Sequence, residues 1–358
     1  MAHPMRARRL ARTAAALTTV GALALTAGCG PEDLLPGGSS PSTSAEAPAP
    51  PPAPVLAPWP LTGVEVEASA IAPRPALALK VENSVSARPQ SGLNQADLVW
   101  EEVVEGGITR FVAVYHSTLP VDIGPVRSVR PMDAAIAAPL GGLFAFSGGG
   151  PDFVRAIRDA GLQVLSQDSG ADGMFRLPAR SAPHNVYADP LKLLAQADAA
   201  HQAPPAAQFG YAPAGQPPTA VAAGAPAGVL RLKLSGVARP SWTWSPADGG
   251  WLRAEGETPA TGADGARLRA ANVVVLRVDV VNTAFVDPAG NPVPETKMVG
   301  SGEALVASGG STIAATWSKP GEGAPVLLNG PDGLPVQLAP GNTWIELVPR
   351  SSGSVTLG

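Results

Sequence analysis

Cysteine occurs once in the 358 residues, as Cys29. A lone thiol excludes an internal disulfide and every cysteine-cluster zinc or iron–sulfur site. Positive charge is in short supply. There are 25 Lys and Arg against 29 Asp and Glu, a net charge of -4, which argues against a nucleic-acid partner. No apolar run makes a comfortable membrane span, no internal repeat is visible, and no Gly-x-Ser-x-Gly elbow announces a serine hydrolase. What is there is a chain 45% hydrophobic and 15% charged, enough for packed cores. Gly and Pro number 40 each, so globular parts separated by Pro-rich spacers are expected. At about 150 residues per domain, the length allows two domains and a tail.

Arg6, Arg8, Arg9 and Arg12 form a basic segment, and residues 13–27 carry no charge. That is the pattern of an export signal. It runs into Leu25-Thr26-Ala27-Gly28-Cys29, which resembles the lipobox of bacterial lipoproteins, with Thr26 where an aliphatic residue is usual. The resemblance implies cleavage before Cys29 and acylation of its sulfur. The protein would then sit on the outer face of the cytoplasmic membrane, held by palmitate-type lipid. Cleavage removes four Arg and leaves 21 basic against 29 acidic residues, a charge near -8. Attachment would therefore rest on acyl chains rather than on attraction to an anionic bilayer. Residues 30–60 hold ten Pro and few large apolar side chains, as expected for a semi-rigid stalk.

Beyond the signal (1–28) and the lipidated tether (29–60), composition divides the chain into an α/β domain (61–201), an uncharged Pro/Ala-rich spacer (202–228) and a smaller, mostly-β domain (229–358). The expected fold class is α+β, with the first domain an α/β sandwich. Strands are predicted at 76–81, 96–101, 109–115 and 143–146, with a turn at Glu105-Gly106-Gly107. Helices are predicted at 133–140, from Pro151 to a stop at Gly161, and over 190–200. Apolar runs at 230–234, 272–276, 311–317 and 344–348, separated by Gly, Asp and Pro turns, predict the β domain.

The segments Val81-Glu82-Asn83, Ala87-Arg88-Pro89-Gln90, Gly106-Gly107-Ile108-Thr109-Arg110-Phe111, Gly124-Pro125-Val126-Arg127-Ser128-Val129-Arg130 and Ala182-Pro183-His184-Asn185 are similar to those of the YerB-like lipoproteins, a bacterial family of unknown function. Ala271–Val275, Gly300-Ser301-Gly302, Thr316-Trp317-Ser318-Lys319 and Gly341-Asn342-Thr343-Trp344 extend the likeness into the second domain. The resemblance implies a two-part exported lipoprotein and assigns no activity to any residue.

The candidate site residues each admit two readings. Arg88, Arg110, Arg127 and Arg130 sit in Pro/Gly loops or at strand starts. Arg forks match carboxylate or phosphate oxygens, so they suit an anionic ligand. They suit equally the nearby Asp97, Glu101, Glu102 and Glu105. Among these Arg, the loop bracketed by Gly124-Pro125 and Pro131 selects Arg127 and Arg130 as ligand-facing, while Arg110 is expected to be structural. Glu101 and Glu102 are strand neighbours and point to opposite faces, whereas Glu101 and Glu105 could share one. Paired acids would suit glycosidic cleavage. His184 beside Asn185, with a carboxylate, would suit general base work or the ordering of a loop. His184 and His116 lack the spacing of a metal site. Ser147-Gly148-Gly149-Gly150 lacks the Lys-Ser/Thr of a nucleotide loop, and Asp168–Gly173 lacks the far Glu of a calcium loop. No cofactor is called for. The resulting expectation is a non-catalytic binding module for a cell-wall glycan, a peptide or an envelope protein. The alternative is an envelope hydrolase using Glu101 or Glu105 with His184.

Overall fold

The structure is a computed structural model that describes residues 54–287 and 289–358. The signal, Cys29 and most of the tether lie outside the described residues. Ala53–Gly358 form one compact unit. Its frame is an 11-stranded sheet. The strands that matter below are β1 (Leu77–Glu82), β2 (Leu98–Val103), β3 (Thr109–Tyr115), β4 (Leu143–Phe146) and β5 (Gln163–Ser166). Two antiparallel strands, β6 (Met174–Arg176) and β7 (Val186–Ala188), stand apart from it.

The second half of the chain builds two things. First, β8 (Val229–Lys233), β9 (Pro240–Ser245) and β10 (Gly250–Glu255) form a separate six-stranded sheet, completed at one edge by β17 (Ser354–Leu357). Second, β11 (Asn272–Val278), β14 (Gly300–Ser308), β15 (Ser311–Lys319) and β16 (Thr343–Pro349) extend the main sheet. Between them β12 (Val280–Val286) and β13 (Pro292–Thr296) make a hairpin. The order across the main sheet is β15-β14-β11-β16-β2-β3-β1-β4-β5. β16 lies parallel to both β11 and β2, with Glu346 directly opposite Glu101. β1 is parallel to β4, and β4 to β5. Because β3 is antiparallel to both β1 and β2, strands β11, β16, β2, β1, β4 and β5 all point the same way.

Side chains alternate across these strands, so each face can be read from parity. One face presents Ala78, Trp100, Val112 and Phe144, and is covered by helices α1 (Asp133–Ala137) and α2 (Pro151–Asp159). The other presents Leu79, Val99, Phe111, Val275 and Trp344, and packs on Leu232, Trp242 and Trp251 of the second sheet. Both faces are buried, which explains why the strands read as continuous apolar runs.

Among the described residues strands predominate, at 41%, over helices, at 14%. The expectation of an α/β sandwich in the first half is therefore corrected: its helices are too few and too short to make a layer. The apolar helical period is sustained only over the nine residues of α2, where Phe153 and Ile157 face the sheet and Gly161, at φ 79, ends the turn. The helix predicted over 190–200 is α3 (Pro190–Leu194), started by Asp189 accepting from the Leu191 and Lys192 amides. It stops because Gln196 Nε2 donates to the Lys192 and Asp172 carbonyls at 2.9 and 2.8 Å, turning the chain away. Within residues 202–228 Phe209 is buried, Gly210–Tyr211 pairs with Gln337–Leu338, and Ala225–Pro226 pairs with β15.

Candidate functional site

Parallel strands gather their carboxyl ends on one edge, where loops leave the sheet and ligands commonly bind. Here that edge carries Glu82 at the end of β1, Glu105 just after β2, Ser147–Gly150 after β4 and Asp168 after β5. Arg127, Arg130 and His184 reach it from loops.

The best-defined cluster is built on Glu82, which is only 2% exposed. His184 Nδ1 lies 2.9 Å from both carboxylate oxygens. Ser84 Oγ donates to Oε1 at 2.8 Å, and Arg127 Nε stands 3.4 Å from Oε2. A carboxylate only accepts, so the imidazole donates to it through Nδ1. The His184 and Arg127 side chains keep 27% and 24% exposure. The acid is thus hidden while both bases stay accessible.

A second cluster lies alongside. Glu105 is gripped by Arg130 through Nε and, at 2.8 Å, through Nη2, and lies 3.8 Å from Arg110. Arg110 Nη1 donates to the Ser128 carbonyl at 2.8 Å. Burial, followed by the neighbouring Arg130 charge, lowers Arg110 to about 10. Glu105, Ser128 and Arg130 line a cavity of about 450 Å³ closed on its far side by Phe153 and, from the β12–β13 hairpin, Phe285. The two rings meet edge to face at 5.0 Å.

Beneath both clusters lies a fully buried triad. Lys80 Nζ is paired with Glu102 and, at 2.6 Å, with Asp133 of α1. Burial and the Asp133 charge push the Glu102 carboxyl up to about 8, against the pull of Lys80.

The sequence candidates divide accordingly. Arg127, Arg130, Glu105 and His184 share the carboxyl edge. Glu101 does not: it faces the opposite side of β2, fully buried, with Arg253 at 2.7 Å and Thr109 Oγ1 at 2.6 Å. Arg88 also faces away, donating to Asn83 and pairing with Glu255 at 3.0 Å. Asn185 accepts from Arg176 Nη1 at 2.8 Å and holds β6 to the loop. His116 is buried with both ring nitrogens unbonded, and burial lowers it to about 4. Sequence reasoning missed Glu82 and Lys80. Their signal was present: two charges at i and i+2 inside an otherwise apolar strand must share one buried face. Among the described residues no group of three His, Cys, Asp or Glu is placed to hold a metal ion. No helix among them is long and apolar enough to cross a membrane.

Comparison with known proteins finds two adjoining family matches. Residues 61–203 match the protein of unknown function (DUF3048) N-terminal domain, and residues 230–345 match its C-terminal domain. A curated relative, named putative lipoprotein YerB of Bacillus subtilis (strain 168), is 33% identical over 129 residues. That match covers 36% of this chain and 39% of the relative, so it spans about two fifths of the relative's length. The crystal structure of the YerB protein from Bacillus subtilis superposes with a TM-score of 0.68 at 22% identity, covering 84% of this chain and 99% of that one. It supports the fold.

Proposed function

We propose a function for the chain as a member of the DUF3048 family, to which both of its halves belong: an exported, lipid-anchored module that holds an anionic group of an envelope ligand at the carboxyl edge of its main sheet. The ligand is a cell-wall glycan, a peptide or an envelope protein bearing a carboxylate or phosphate. One observation carries this reading. Arg127 and His184 are partly exposed but fixed from behind by the buried Glu82. An accessible guanidinium held in place beside the His184 ring offers a planar anion its fork, and fixing it before binding lowers the ordering cost. Anchoring through Cys29 is supported by its place in the lipobox-like segment and by the name of the curated relative.

The same geometry favours one second reading. A carboxylate on Nδ1 with Nε2 turned outward is the arrangement of a general base. Glu82, rather than Glu101 or Glu105, would orient His184 in an envelope hydrolase.

Retention of the full-length protein on purified cell walls tests both. The binding reading expects Arg127→Ala and His184→Ala to lower retention while no soluble fragment is released. Undiminished retention of both folded variants would overturn it, and release of fragments by the parent that His184→Ala abolishes would replace it with hydrolysis. For the anchor, Cys29→Ala should free the protein from the membrane fraction.

A further inference from the structure

The amino edge of the main sheet, opposite the site above, carries a second concavity. Two cavities of about 460 and 520 Å³ share Asn94, Gln95, Arg269 and Asn342 and so form one elongated cleft. Each is within the size range of ligand sites. Its walls come from the segment before β2, the segment before β16 and the loop that leads into β11.

We propose that this cleft binds a neutral, hydroxyl-rich oligosaccharide. Charge is the first reason. Arg267 and Arg269 line the cleft together with Asp97, Asp248 and Asp264, so no single sign dominates. An anion or a cation alone would meet as much repulsion as attraction. Asp97 is further occupied, accepting from the His116 and Ser117 amides at 2.7 and 2.8 Å.

The second reason is the kind of surface on offer. The cleft is lined by planar polar groups and one aromatic, Trp59, whose indole is set edge to face on the buried His116 at 5.2 Å. Among the described residues neither the Trp59 indole N–H nor the Gln95 amide has a hydrogen-bond partner. An aromatic face suits the C–H side of a sugar ring, and the Gln95 amide suits its vicinal hydroxyls, whereas Arg267 and Arg269 already donate to the Arg253 and Asp248 carbonyls, each at 2.8 Å. Apolar lining is confined to a few side chains such as Val64 and Leu252, too little for a lipid.

The third reason excludes an extended peptide. A peptide strand needs a free row of backbone donors and acceptors. Here the backbone at 267–271 is already clamped. Asn94 donates to the Arg267 carbonyl and accepts from the Arg269 amide, at 3.0 and 3.1 Å. Asn342 donates to the Arg269 carbonyl and accepts from the Ala271 amide, at 2.8 and 2.9 Å. These bonds also fix the wall before any ligand arrives. The two joined lobes then accommodate successive units of a chain rather than a single compact molecule.

The test is calorimetric titration of the full-length protein in detergent with chitotetraose, a neutral β-1,4-linked N-acetylglucosamine oligomer. Saturable binding is expected, weakened about tenfold by Trp59→Ala and by Gln95→Ala, as for an aromatic anchor and its polar neighbour. Gln95→Ala should keep the parent melting temperature, and Trp59→Ala, which uncovers His116, is compared while folded. Arg127→Ala, at the far edge, should titrate like the parent, which separates failure here from failure of the anion site. The proposal is overturned by absence of binding at millimolar oligosaccharide. It is also overturned by binding that folded Gln95→Ala leaves unchanged, or by an uncharged tetrapeptide displacing the sugar from the cleft.

Discussion

Glu101 and Glu102 are neighbours on β2, both fully buried, and their surroundings differ completely. On the Glu102 side the partners, Lys80 and Asp133, come from the same half of the chain, and the cluster climbs through Arg110 and Glu105 toward the exposed edge. On the Glu101 side the charged partners come from the other half. Arg253 on β10 reaches Glu101 at 2.7 Å, Glu255 at 2.9 Å and Glu346 at 3.0 Å. Its guanidinium carbon lies 4.9 Å from the Trp344 ring centroid and 5.4 Å from those of Phe111 and Trp242. Trp242 also donates to Glu346 at 2.8 Å. The Arg253 guanidinium is packed among aromatic rings, and its network leaves them only through Glu255, which pairs with Arg88; the first cluster lies beside the accessible Arg127 and His184. Buried charge therefore does not mark function in this fold. The informative feature is a partly exposed cation tied to a hidden acid.

The sharpest challenge to this contrast is Arg253→Met. It strands Glu101 and Glu346 opposite each other without a counter-charge, and should cost about 3–5 kcal/mol in denaturant unfolding. A loss under about 1 kcal/mol would remove the structural role assigned to this face. Lys80→Met should cost less, about 1–3 kcal/mol, because it removes contacts to two acids, Glu102 and Asp133, where Arg253→Met removes contacts to three acids and to the surrounding rings. Equal losses from the two variants would erase the distinction between the faces.

The acid pairs also set a pH dependence. Glu102, held near 8 in the folded protein by burial, has an ordinary value of 4.5 when unfolded. Glu346 is shifted in the same direction, by burial first and then by Glu101. The folded state binds the extra protons, so their contribution is complete below the unfolded value and is lost as pH rises toward 8. Thermal melting should fall across that window, and Glu102→Gln should flatten the fall. A melting temperature that rises with pH there would contradict the assignment. The smallest stability effect belongs to Arg127→Ala: within about 0.5 kcal/mol, since the side chain is partly exposed. A larger loss would make Arg127 structural and return the carboxyl edge to the same category as the Arg253 network.

Much of the frame was legible in residue order. Thr109–Tyr115 and Leu143–Phe146 are strands as expected from their apolar runs, and parity alone placed Glu101 and Glu102 on opposite faces. Pairing was not legible. Which acid meets which Arg depends on β16 lying between β11 and β2, a neighbour relation between residues almost 250 positions apart that no local pattern encodes. Glu82 escaped notice for a related reason. It reads as the polar end of a strand until His184, brought in from a distant loop, is seen resting on it. Helix lengths were overestimated where side chains such as Gln196 cap the turn against another loop, an interaction that propensity does not register.

The position of β16 also has a consequence for biogenesis. Strands β1 to β5 emerge first, and until residues 343–349 follow, β2 has a bare edge: its backbone groups toward β16 are unpaired. Val99 and Trp100 lie on that edge, and Glu101 is without Arg253, which is also made later. An open, apolar strand edge is a template for unwanted association. While the chain is being made its central seam is therefore unzipped, and the last long strand to arrive is the one that closes it.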